Sequence, residues 1–561
     1  MKNEALYNIE DIPFSRFGSY LAISKLKEKN GIPAGIWIRN IHGDAAREVF
    51  RIEIMEDNIP VNAEIITSPA ELVIKSSKGY IRICLSGLNR IRVKSENIGF
   101  RLTARPGNYN SAIPQENRRW LLNIATAFQN YILTPLNGNI AVECPWEVAR
   151  CKHIFINAQP DSEIIIDQGV GCWHPDPITT TYDDDVDIIA NEFNRFASGY
   201  QSCKDKYTDT TSLAVYLNWS TVVEPCGLFT RPAMLMSKNH MTNVWSWDHA
   251  FNALALSPCH PELSWDQLML MFDHQHNSGQ LPDFLNDILK LYNFVKPPIH
   301  GWIFQQMQQY NTWFQQKSII TELYEPLCKW TEWWFTYRNP DGDGMPQYHH
   351  GNDSGWDNGT VFDMVLPTKG SDLTALLIIQ METISKMAIA LEYHDEAIKW
   401  QKRADELLQQ MIIHFWDGTK FINPSAIDGK ISEMSDSIFS CLPIILGNRL
   451  PDDIKKSLIK EIKRHLTPWG LATENINSPL YESDGYWRGP IWAPPTFMIV
   501  NGLFQIGENN LAIDIAQRFC RLCEKEGFAE NFDAITGTAL RDKAYTWTSS
   551  IFLLLNRMQQ E

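Results

Sequence analysis

Residues 373–393, LTALLIIQMETISKMAIALEY, are followed almost at once by residues 395–415, DEAIKWQKRADELLQQMIIHF. Both stretches space their apolar side chains at the period of an amphipathic helix. No strand pattern separates them, so the two helices must bury their apolar faces against other helices. This pair decides the fold class of the larger part of the chain, which is predicted to be helical.

The same period recurs throughout the chain after about residue 240. Further helices are predicted over residues 263–277, 302–316, 318–337, 454–465, 496–506, 509–526 and 545–558. About a dozen helices fit this span if each helix with its loop takes roughly 25 residues. Helices without intervening strands predict a toroid or a solenoid, and the lack of a fixed-period repeat favours a closed toroid.

The first 229 residues have a different pattern. Short runs rich in β-branched residues, several of them alternating apolar and polar side chains, predict an antiparallel β-sandwich-like domain. These runs are residues 35–39, 49–54, 72–75 and 80–85, with a last strand at 213–217 and a short helix within 183–195. We therefore predict a β-rich domain with its linker over residues 1–229 and a helical domain over residues 230–561.

Composition excludes several partners. With 66 acidic and 50 basic residues the formal net charge is −16, which speaks against nucleic acid or an anionic membrane surface and favours an uncharged ligand. We find no signal-peptide pattern and no stretch near the roughly 20 apolar residues that span a bilayer, so a cytoplasmic location is expected. Eleven scattered cysteines fit reduced thiols, and Cys520 and Cys523 fall on one predicted helix, where burial explains them better than zinc or redox chemistry.

Two segments each place a carboxylate among glycines and aromatic rings. Residues 351–358 read GNDSGWDN and residues 528–537 read FAENFDAITG. Cleavage of a glycosidic bond needs one protonated carboxyl group and one ionised carboxylate. Asp357 and Glu530 are the candidates for these roles, and the twenty tryptophans offer apolar surfaces on which sugar rings stack.

Other loops also combine tryptophan with charged and turn residues. They are residues 244–251 (VWSWDHAF), 296–302 (KPPIHGW) and 485–492 (GYWRGPIW), and a further loop, residues 277–283 (NSGQLPD), has turn residues and an aspartate but no tryptophan. Tryptophans that served only the core would lie on helix faces without adjacent Asp or Arg. Their position in these loops indicates a binding site.

Four of these blocks, WSWD (245–248), SGWDN (354–358), YWRGPIW (486–492) and AENFDAITG (529–537), resemble the sequence blocks of the glycoside hydrolases of family 63. The resemblance covers roughly residues 230–560 in the expected order. That family includes processing and bacterial α-glucosidases and mannosylglycerate and glucosylglycerate hydrolases, with trehalase as a distant relative.

The resemblance implies an (α/α)6 barrel and hydrolysis with inversion at the anomeric carbon. By position, Asp357 corresponds to the general acid and Glu530 to the general base, and the residues expected in the sugar subsite are Trp247, Asp248, Trp356, Tyr486, Trp487, Arg488 and Trp492. An inverting pair should lie roughly 6.5 to 9.5 Å apart, against about 5 Å in a retaining enzyme. We expect Trp356 to raise the pKa of Asp357, and Asn531 with backbone amides to keep Glu530 ionised.

Each assignment has a structural alternative. Asp357 could cap a helix, Glu530 could form a surface ion pair with Arg541 or Lys543, and Asp248 could brace the helices. Arg488 could stack on Trp487. Asp353 and Asp363 are the acids that would replace Asp357 if the alignment slipped.

We expect no required cofactor and no metal site. Residues 339–346 (NPDGDGMP) resemble a calcium-binding turn but lack the glutamate at position twelve of an EF-hand loop, so a plain turn is favoured. His349 and His350 have no partner at metal spacing and are expected to be exposed in a loop.

The favoured function is an exo-acting, inverting α-glucosidase on a short oligosaccharide or small α-glucoside. The alternatives are a mannosylglycerate or glucosylglycerate hydrolase, an inactive carbohydrate-binding barrel, and a lyase or phosphorylase. The choice between glucose and mannose, the leaving group, the role of the β domain and the oligomeric state stay open at this stage.

Overall fold

The computed structural model describes residues 6–44, 47–57, 59–203 and 206–559, and it divides the chain into two compact units. The first unit comprises Met1–Ser198, Val215–Pro225 and Ser237–Thr242. The second comprises Gly199–Ala214, Cys226–Met236 and Asn243–Glu561. The chain thus crosses between the units several times within residues 198–243, and a single boundary at residues 229–230 stays a prediction.

The first unit is built on two antiparallel sheets. Its strands are β1 (Leu21–Leu26), β2 (Gly35–Asn40), β3 (Arg47–Glu56), β4 (Ile59–Pro60), β5 (Glu64–Thr67), β6 (Leu72–Lys75), β7 (Tyr80–Gly87), β8 (Arg90–Glu96), β9 (Gly99–Ala104), β10 (Ser111–Pro114), β11 (Trp120–Ile124), β12 (Gln129–Asn137), β13 (Ile140–Glu143), β14 (Trp146–Glu147), β15 (Arg150–Cys151), β16 (Phe155–Ala158) and β17 (Glu163–Gly169). One sheet has the order β1-β2-β3-β9-β16-β13 with β4 beside β3, and the other has the order β10-β11-β12-β17-β8-β7-β6-β5. The buried rings of Phe50 and Tyr131, one from each sheet, lie edge to face at 5.2 Å.

The four strands predicted within residues 35–85 are all present. The predicted helix within residues 183–195 is also confirmed, as α1 (Tyr182–Ala197), which begins with a reciprocal capping box between Thr181 and Asp184. The strand predicted at residues 213–217 is wrong, because these residues belong to helix α2 (Thr208–Ser220). A short continuous apolar run such as LAVYL has neither period, so it does not distinguish a strand from a buried helix.

The second unit is helical. Its helices are α3 (Asp248–Leu256), α4 (Pro261–Phe272), α5 (His300–Tyr310), α6 (Lys317–Tyr337), α7 (Ser371–Ala390), α8 (His394–Phe415), α9 (Asp452–Arg464), α10 (Ala493–Gln505), α11 (Asn509–Glu526) and α12 (Thr546–Met558), with a 3-10 segment at Ile438–Arg449. Every helix predicted in this part of the chain is confirmed. Helix α3 was not predicted, since the segment 244–251 had been interpreted as a loop.

Six elements of this unit contact one another in a cycle. Helix α3 packs on α5, α5 on α7, α7 on the Ile438–Arg449 segment, that segment on α10, α10 on α12, and α12 on α3. The other helices lie against this cycle, with α4 on α3, α6 and α8 on α7, α9 on the Ile438–Arg449 segment, and α11 on α10 and α12. Of the helices predicted at residues 373–393 and 395–415, the first, α7, is therefore a member of the cycle, and the second, α8, is an outer neighbour.

Helix α7 shows the consequence of this arrangement. Its length and apolar composition would suit a membrane span, which corrects the expectation that no stretch of the chain comes near one, but 78% of its most apolar window is buried within the protein. An inner helix is surrounded by other helices, so it is apolar around its whole circumference. Composition alone makes such a core helix look like a membrane helix.

Candidate active site

The segment that carries Asp357 is a tight turn between elements of the helical unit. Residues Gly351–Ser354 form a 3-10 turn that ends at Gly355, whose φ is +76°. A Cβ atom at Gly355 would lie 2.5 Å from the indole of Trp247. Glycine is thus required both by the backbone conformation and by the close approach of the tryptophan, and the turn leaves Asp357 at its outer end.

Asp357 is accessible and faces a cation. Its side chain is 40% exposed, and its Oδ1 lies 3.6 Å from Nζ of Lys296. It does not cap a helix, because the next helical turn, Thr360–Phe362, has Gly359 at its N-cap. The helix-cap alternative is therefore wrong.

The two acids that could replace Asp357 have other partners. Asp353 is fully buried and pairs with Arg338 at 2.6 Å, and its carboxylate also accepts hydrogen bonds from the backbone N–H of His349 and Val295. These contacts of Asp353 hold the turn in place. Asp363 binds the guanidinium of Arg488 through both carboxylate oxygens, at 2.9 and 3.0 Å.

Glu530 lies on a different loop, directly before the short strand Asn531–Phe532. Its side chain is buried, and its backbone N–H donates to the carbonyl of Asp542 at 2.7 Å. Burial raises the pKa of Glu530 to about 7, with a further contribution from Asp542 and a smaller one from Asp357, while Arg541 and a hydrogen bond with Tyr486 act in the opposite direction. The charge of Asp357 therefore acts on Glu530, although 173 residues separate the two along the chain.

This result corrects the expectation that Asn531 and backbone amides keep Glu530 fully ionised. The side-chain oxygen of Asn531 accepts from Arg541 instead, at 3.0 Å, and Arg541 also pairs with Asp484. The surface-pair alternative is wrong as well, because Glu530 is buried. Desolvation dominates its titration, so its carboxylate takes up a proton more readily than a free glutamate does.

Two further buried carboxyl groups interact electrostatically with Asp357, and only the first of them, Asp248, was among the predicted site residues. Asp248, the first residue of α3, is buried, and burial raises its pKa to about 8 although Lys296 acts to lower it. Asp283 is also buried, with a pKa raised by burial to about 6. Lys296 Nζ lies 3.6 Å from Oδ1 of Asp283.

Asp283 and Lys296 were not predicted as site residues. Both stand in loops that the sequence marks by turn residues, NSGQLPD and KPPIHGW, but nothing along the chain indicates that these loops meet Asp357. The sequence signal that could have identified them is a charged residue in each of two proline-containing loops rich in turn residues. Only the folded chain brings their charges together.

The predicted tryptophans form one aromatic cluster. Trp487 stacks on Trp492 with centroids 3.9 Å apart, and Trp356 lies 4.7 Å from Trp487. Trp247 contacts the same cluster, with its centroid 6.4 Å from that of Trp487. All four side chains are buried, between 0 and 3% exposed. The cluster therefore supports the floor of the site and offers little free ring surface, so sugar stacking on these rings stays a prediction.

Tyr486 and Arg488 lie on the loop that covers the cluster. Tyr486 has a φ of +63°, and its carbonyl accepts from the indole N–H of Trp492 at 2.8 Å. Burial raises the pKa of Tyr486, and the charges of Glu530, Asp357 and Asp248 contribute. Arg488 pairs with Asp363 and Glu482, and its guanidinium does not stack on Trp487 within the described chain. The loop is fixed to the turn of Asp357 through Asn358, which donates to the carbonyl of Gly485 and accepts from the N–H of Trp487.

The calcium-like turn has a different occupant. The Lys369 ammonium lies 2.6 Å from Asp341 and also contacts Asp343. A lysine charge takes the place that a cation would need, which fits the plain-turn interpretation. Cys520 and Cys523 are free and buried on α11.

A helical cycle with two carboxyl groups on separate loops is the arrangement expected of a glycoside hydrolase, and the comparison with known families shows that the chain is one. Residues 241–548 match the family profile described as the mannosylglycerate hydrolase MGH1-like glycoside hydrolase domain. This match spans more than half of the chain, and the protein belongs to glycoside hydrolase family 63. The sequence resemblance is thereby confirmed.

Curated proteins similar to this chain are named as mannosylglycerate hydrolases and as a glucosidase. The chain is 21% identical to a mannosylglycerate hydrolase of Rubrobacter radiotolerans over 60% of this chain and 93% of the relative. It is 22% identical to a mannosylglycerate hydrolase of Thermus thermophilus over 56% of this chain and 94% of the relative. A probable mannosyl-oligosaccharide glucosidase of Schizosaccharomyces pombe is 26% identical over 37% of this chain and 29% of the relative.

Solved structures share the fold. A family 63 mannosylglycerate hydrolase from Thermus thermophilus, in complex with glucose, superposes with a TM-score of 0.54 at 19% identity over 62% of this chain and 100% of its own. A bacterial glucoamylase in complex with acarbose has a TM-score of 0.64 at 11% identity and covers 100% of this chain and 95% of its own. The glucoamylase match extends the likeness to the β-rich unit.

Proposed function

We propose that this protein is an exo-acting, inverting α-glycosidase that releases one sugar from a small α-glycoside, with Asp357 as general acid and Glu530 as general base. One observation carries the proposal. An accessible carboxyl group, Asp357, and a buried one, Glu530, are held on loops far apart in sequence but close enough in the structure that the charge of Asp357 contributes to the raised pKa of Glu530. Glycoside hydrolysis requires two carboxyl groups in different environments. The order of their roles, Asp357 as acid and Glu530 as base, is taken from the family resemblance, because burial of Glu530 and the cation beside Asp357 do not by themselves give that order.

The cycle of six helical elements is proposed to be the inner ring of an (α/α)6 barrel. In such a barrel the loops at one end form the catalytic site. The contacts α3 to α5, α5 to α7 and onward back to α3 support ring closure, and the likeness to the glucoamylase structure points the same way.

The proposed reaction has a single displacement. Asp357 donates its proton to the glycosidic oxygen as the bond to the anomeric carbon breaks, and Glu530 accepts a proton from the water that attacks the opposite face of the sugar. The raised pKa of Glu530, about 7, suits a base that must take a proton near neutral pH. Room for the water requires the two carboxyl groups to lie roughly 6.5 to 9.5 Å apart.

The substrate proposed first is a mannosyl- or glucosylglycerate. The family profile and the relatives named above include mannosylglycerate hydrolases, which favours the glycerate-linked alternative over the general α-glucosidase that the sequence suggested. A short α-glucoside is the second candidate, because one relative is named as an oligosaccharide glucosidase.

The test is hydrolysis of a panel of α-mannosides, α-glucosides and both glycerate glycosides, with the anomer of the fresh product followed by NMR. Asp357→Asn and Glu530→Gln are assayed beside the wild type on the best α-glycoside and on the corresponding α-glycosyl fluoride. Fluoride leaves without a proton, so it bypasses the acid but not the base.

The proposal requires β-sugar as the first product, loss of glycoside hydrolysis in both variants, and retained fluoride hydrolysis in Asp357→Asn alone. Retained fluoride hydrolysis in Glu530→Gln alone would reverse the two roles. Sugar release that depends on phosphate would indicate a phosphorylase. A wild type that binds sugars but cleaves none of them would indicate an inactive barrel.

A further inference from the structure

Lys296 is a buried cation at the edge of the candidate site. Its side chain is 5% exposed, and Nζ donates to both the backbone carbonyl and the side-chain oxygen of Asn352, at 2.9 and 2.6 Å. The same Nζ lies 3.6 Å from Asp357 and from Asp283. One ammonium group thus connects three loops: its own, the loop of Asp283 and the turn that carries Asp357.

Burying an ammonium group is costly unless nearby charges compensate. Burial opposes the charge of Lys296, but Asp283, Asp357, Asp248 and Asp353 together raise the pKa of its ammonium group above the ordinary value. Lys296 is therefore charged, and within the described chain it is the cation that forms an ion pair with Asp357. A lysine with a purely structural role would need ion-pair partners only among buried carboxylates such as Asp283. Lys296 also faces the accessible carboxylate of Asp357.

We propose that Lys296 is a positioning residue for the acid step, which fixes the Asp357 carboxyl group and stabilises the negative charge that it acquires on giving its proton to the leaving oxygen. This inference rests on the proposed function. In that step the O–H bond of Asp357 breaks, the proton goes to the glycosidic oxygen, and the electron pair stays on a carboxylate 3.6 Å from a fixed ammonium group. The attraction grows as the proton leaves, so it favours the transition state over the ground state.

The charges around Asp357 make Lys296 decisive. The charge of Asp357 contributes to the raised pKa values of Lys296, Asp248, Asp283, Glu530 and Tyr486, so these groups surround it. All except Lys296 are acids. Lys296 itself faces Asp283, Asp248 and Asp353 besides Asp357, and Asp353 is already paired with Arg338. Without the ammonium group, Asp357 would have no ion-pair partner within the described chain, and the negative charge that it acquires would face the acids named above.

The experiment compares wild type and Lys296→Gln on two substrates that share one sugar. One is a glycoside with an alcohol leaving group, which needs the acid, and the other is the glycosyl fluoride, which does not. Glutamine still donates to Asn352 but carries no charge. We expect kcat on the alcohol glycoside to fall about tenfold or more and fluoride hydrolysis to change little. We also expect the limb of the pH profile that is present on the alcohol glycoside and absent on the fluoride, here called the Asp357 limb, to move up by about one pH unit.

Two further variants complete the test. Lys369→Gln removes a lysine that also pairs with two aspartates but lies in the turn of Asp341 and Asp343, and it should leave the ratio of the two rates unchanged. Asp283→Asn leaves Lys296 with one partner fewer and should move the Asp357 limb down, which keeps the proposal testable if Lys296→Gln does not fold.

Equal losses on both substrates in Lys296→Gln with an unmoved Asp357 limb would overturn the proposal, as would an unmoved Asp357 limb in Asp283→Asn. Asp357→Asn separates this failure from failure of the proposed function. If Asp357→Asn is selective for the fluoride while Lys296→Gln is not, Asp357 is the acid and Lys296 only supports the fold. If Asp357→Asn shows no selectivity, the acid assignment itself is wrong.

Discussion

Asp353 and Asp357 stand four residues apart in one turn and have opposite environments. Asp353 is fully buried against Arg338, whereas the side chain of Asp357 is 40% exposed. The sequence could not distinguish them, since both are aspartates near the same glycines and aromatic residues. Their burial assigns the first to structure and makes only the second available to a ligand.

Asp353→Asn is expected to destabilise the protein by about 3 kcal/mol, because it leaves the Arg338 guanidinium buried without a counter-charge. The measurement is the free energy of unfolding by urea. Glu396→Gln is the control, since it breaks an exposed pair with Lys399 at 3.6 Å and should cost less than about 0.5 kcal/mol. Equal stability of Asp353→Asn and wild type would show that this pair is not the brace of the turn.

At the scale of elements, the helices with a clear apolar period were predicted from the sequence. Outer helices such as α8 and α11 have one wet face, and their apolar period gave their positions. Helix α3 and the Ile438–Arg449 segment are short inner elements, of 9 and 12 residues, whose side chains are buried on nearly every side, so no period marks them. Other inner helices, such as α7, were predicted. The carboxylates of the site were found from local motifs, while Lys296 and Asp283 were missed because their role arises only where three loops meet.

Close approach of inner helices depends on small residues. Gly301 of α5 faces α7 so closely that a Cβ atom would lie 2.6 Å from the Cα of Gln380. The Gly301 N–H donates to Gln380 at 3.0 Å, and its carbonyl accepts from Thr383 at 3.1 Å. The contact between the two helices is therefore both tight and polar.

Gly301→Ala is expected to destabilise the protein by about 1 to 3 kcal/mol, because the added methyl group must push α5 away from α7. Thermal unfolding by calorimetry measures the effect. Gly359→Ala is the matched control, since Gly359 has a φ of −55° and its nearest neighbour to an added Cβ would be 3.4 Å away. Similar melting temperatures for the two variants would mean that α5 and α7 can separate at little cost.

At the scale of the whole molecule, the candidate site of the helical unit contains carboxyl groups that burial holds in unfavourable surroundings. The pKa values of Asp248, Asp283 and Glu530 are raised to about 8, 6 and 7, with burial as the main cause in each case. A folded-state pKa above the ordinary value means that the native state binds more protons than the unfolded chain in the intervening pH range. Stability from such a group is complete below its unfolded pKa and is lost as the pH rises through the folded value.

Glu530→Gln should therefore be an inactive but more stable protein at alkaline pH. Its advantage over wild type is expected to be near zero at pH 4, to grow between pH 4.5 and 7, and to reach about 3 kcal/mol at pH 8, because the wild type must then bury an ionised carboxylate. The measurement is the difference in unfolding free energy between the two proteins at each pH. Glu396→Gln, on the exposed face of α8, should show no such growth. A constant difference across this range would mean that Glu530 titrates like a free glutamate, whereas a difference that grows with pH would indicate that the site maintains its base at the expense of stability.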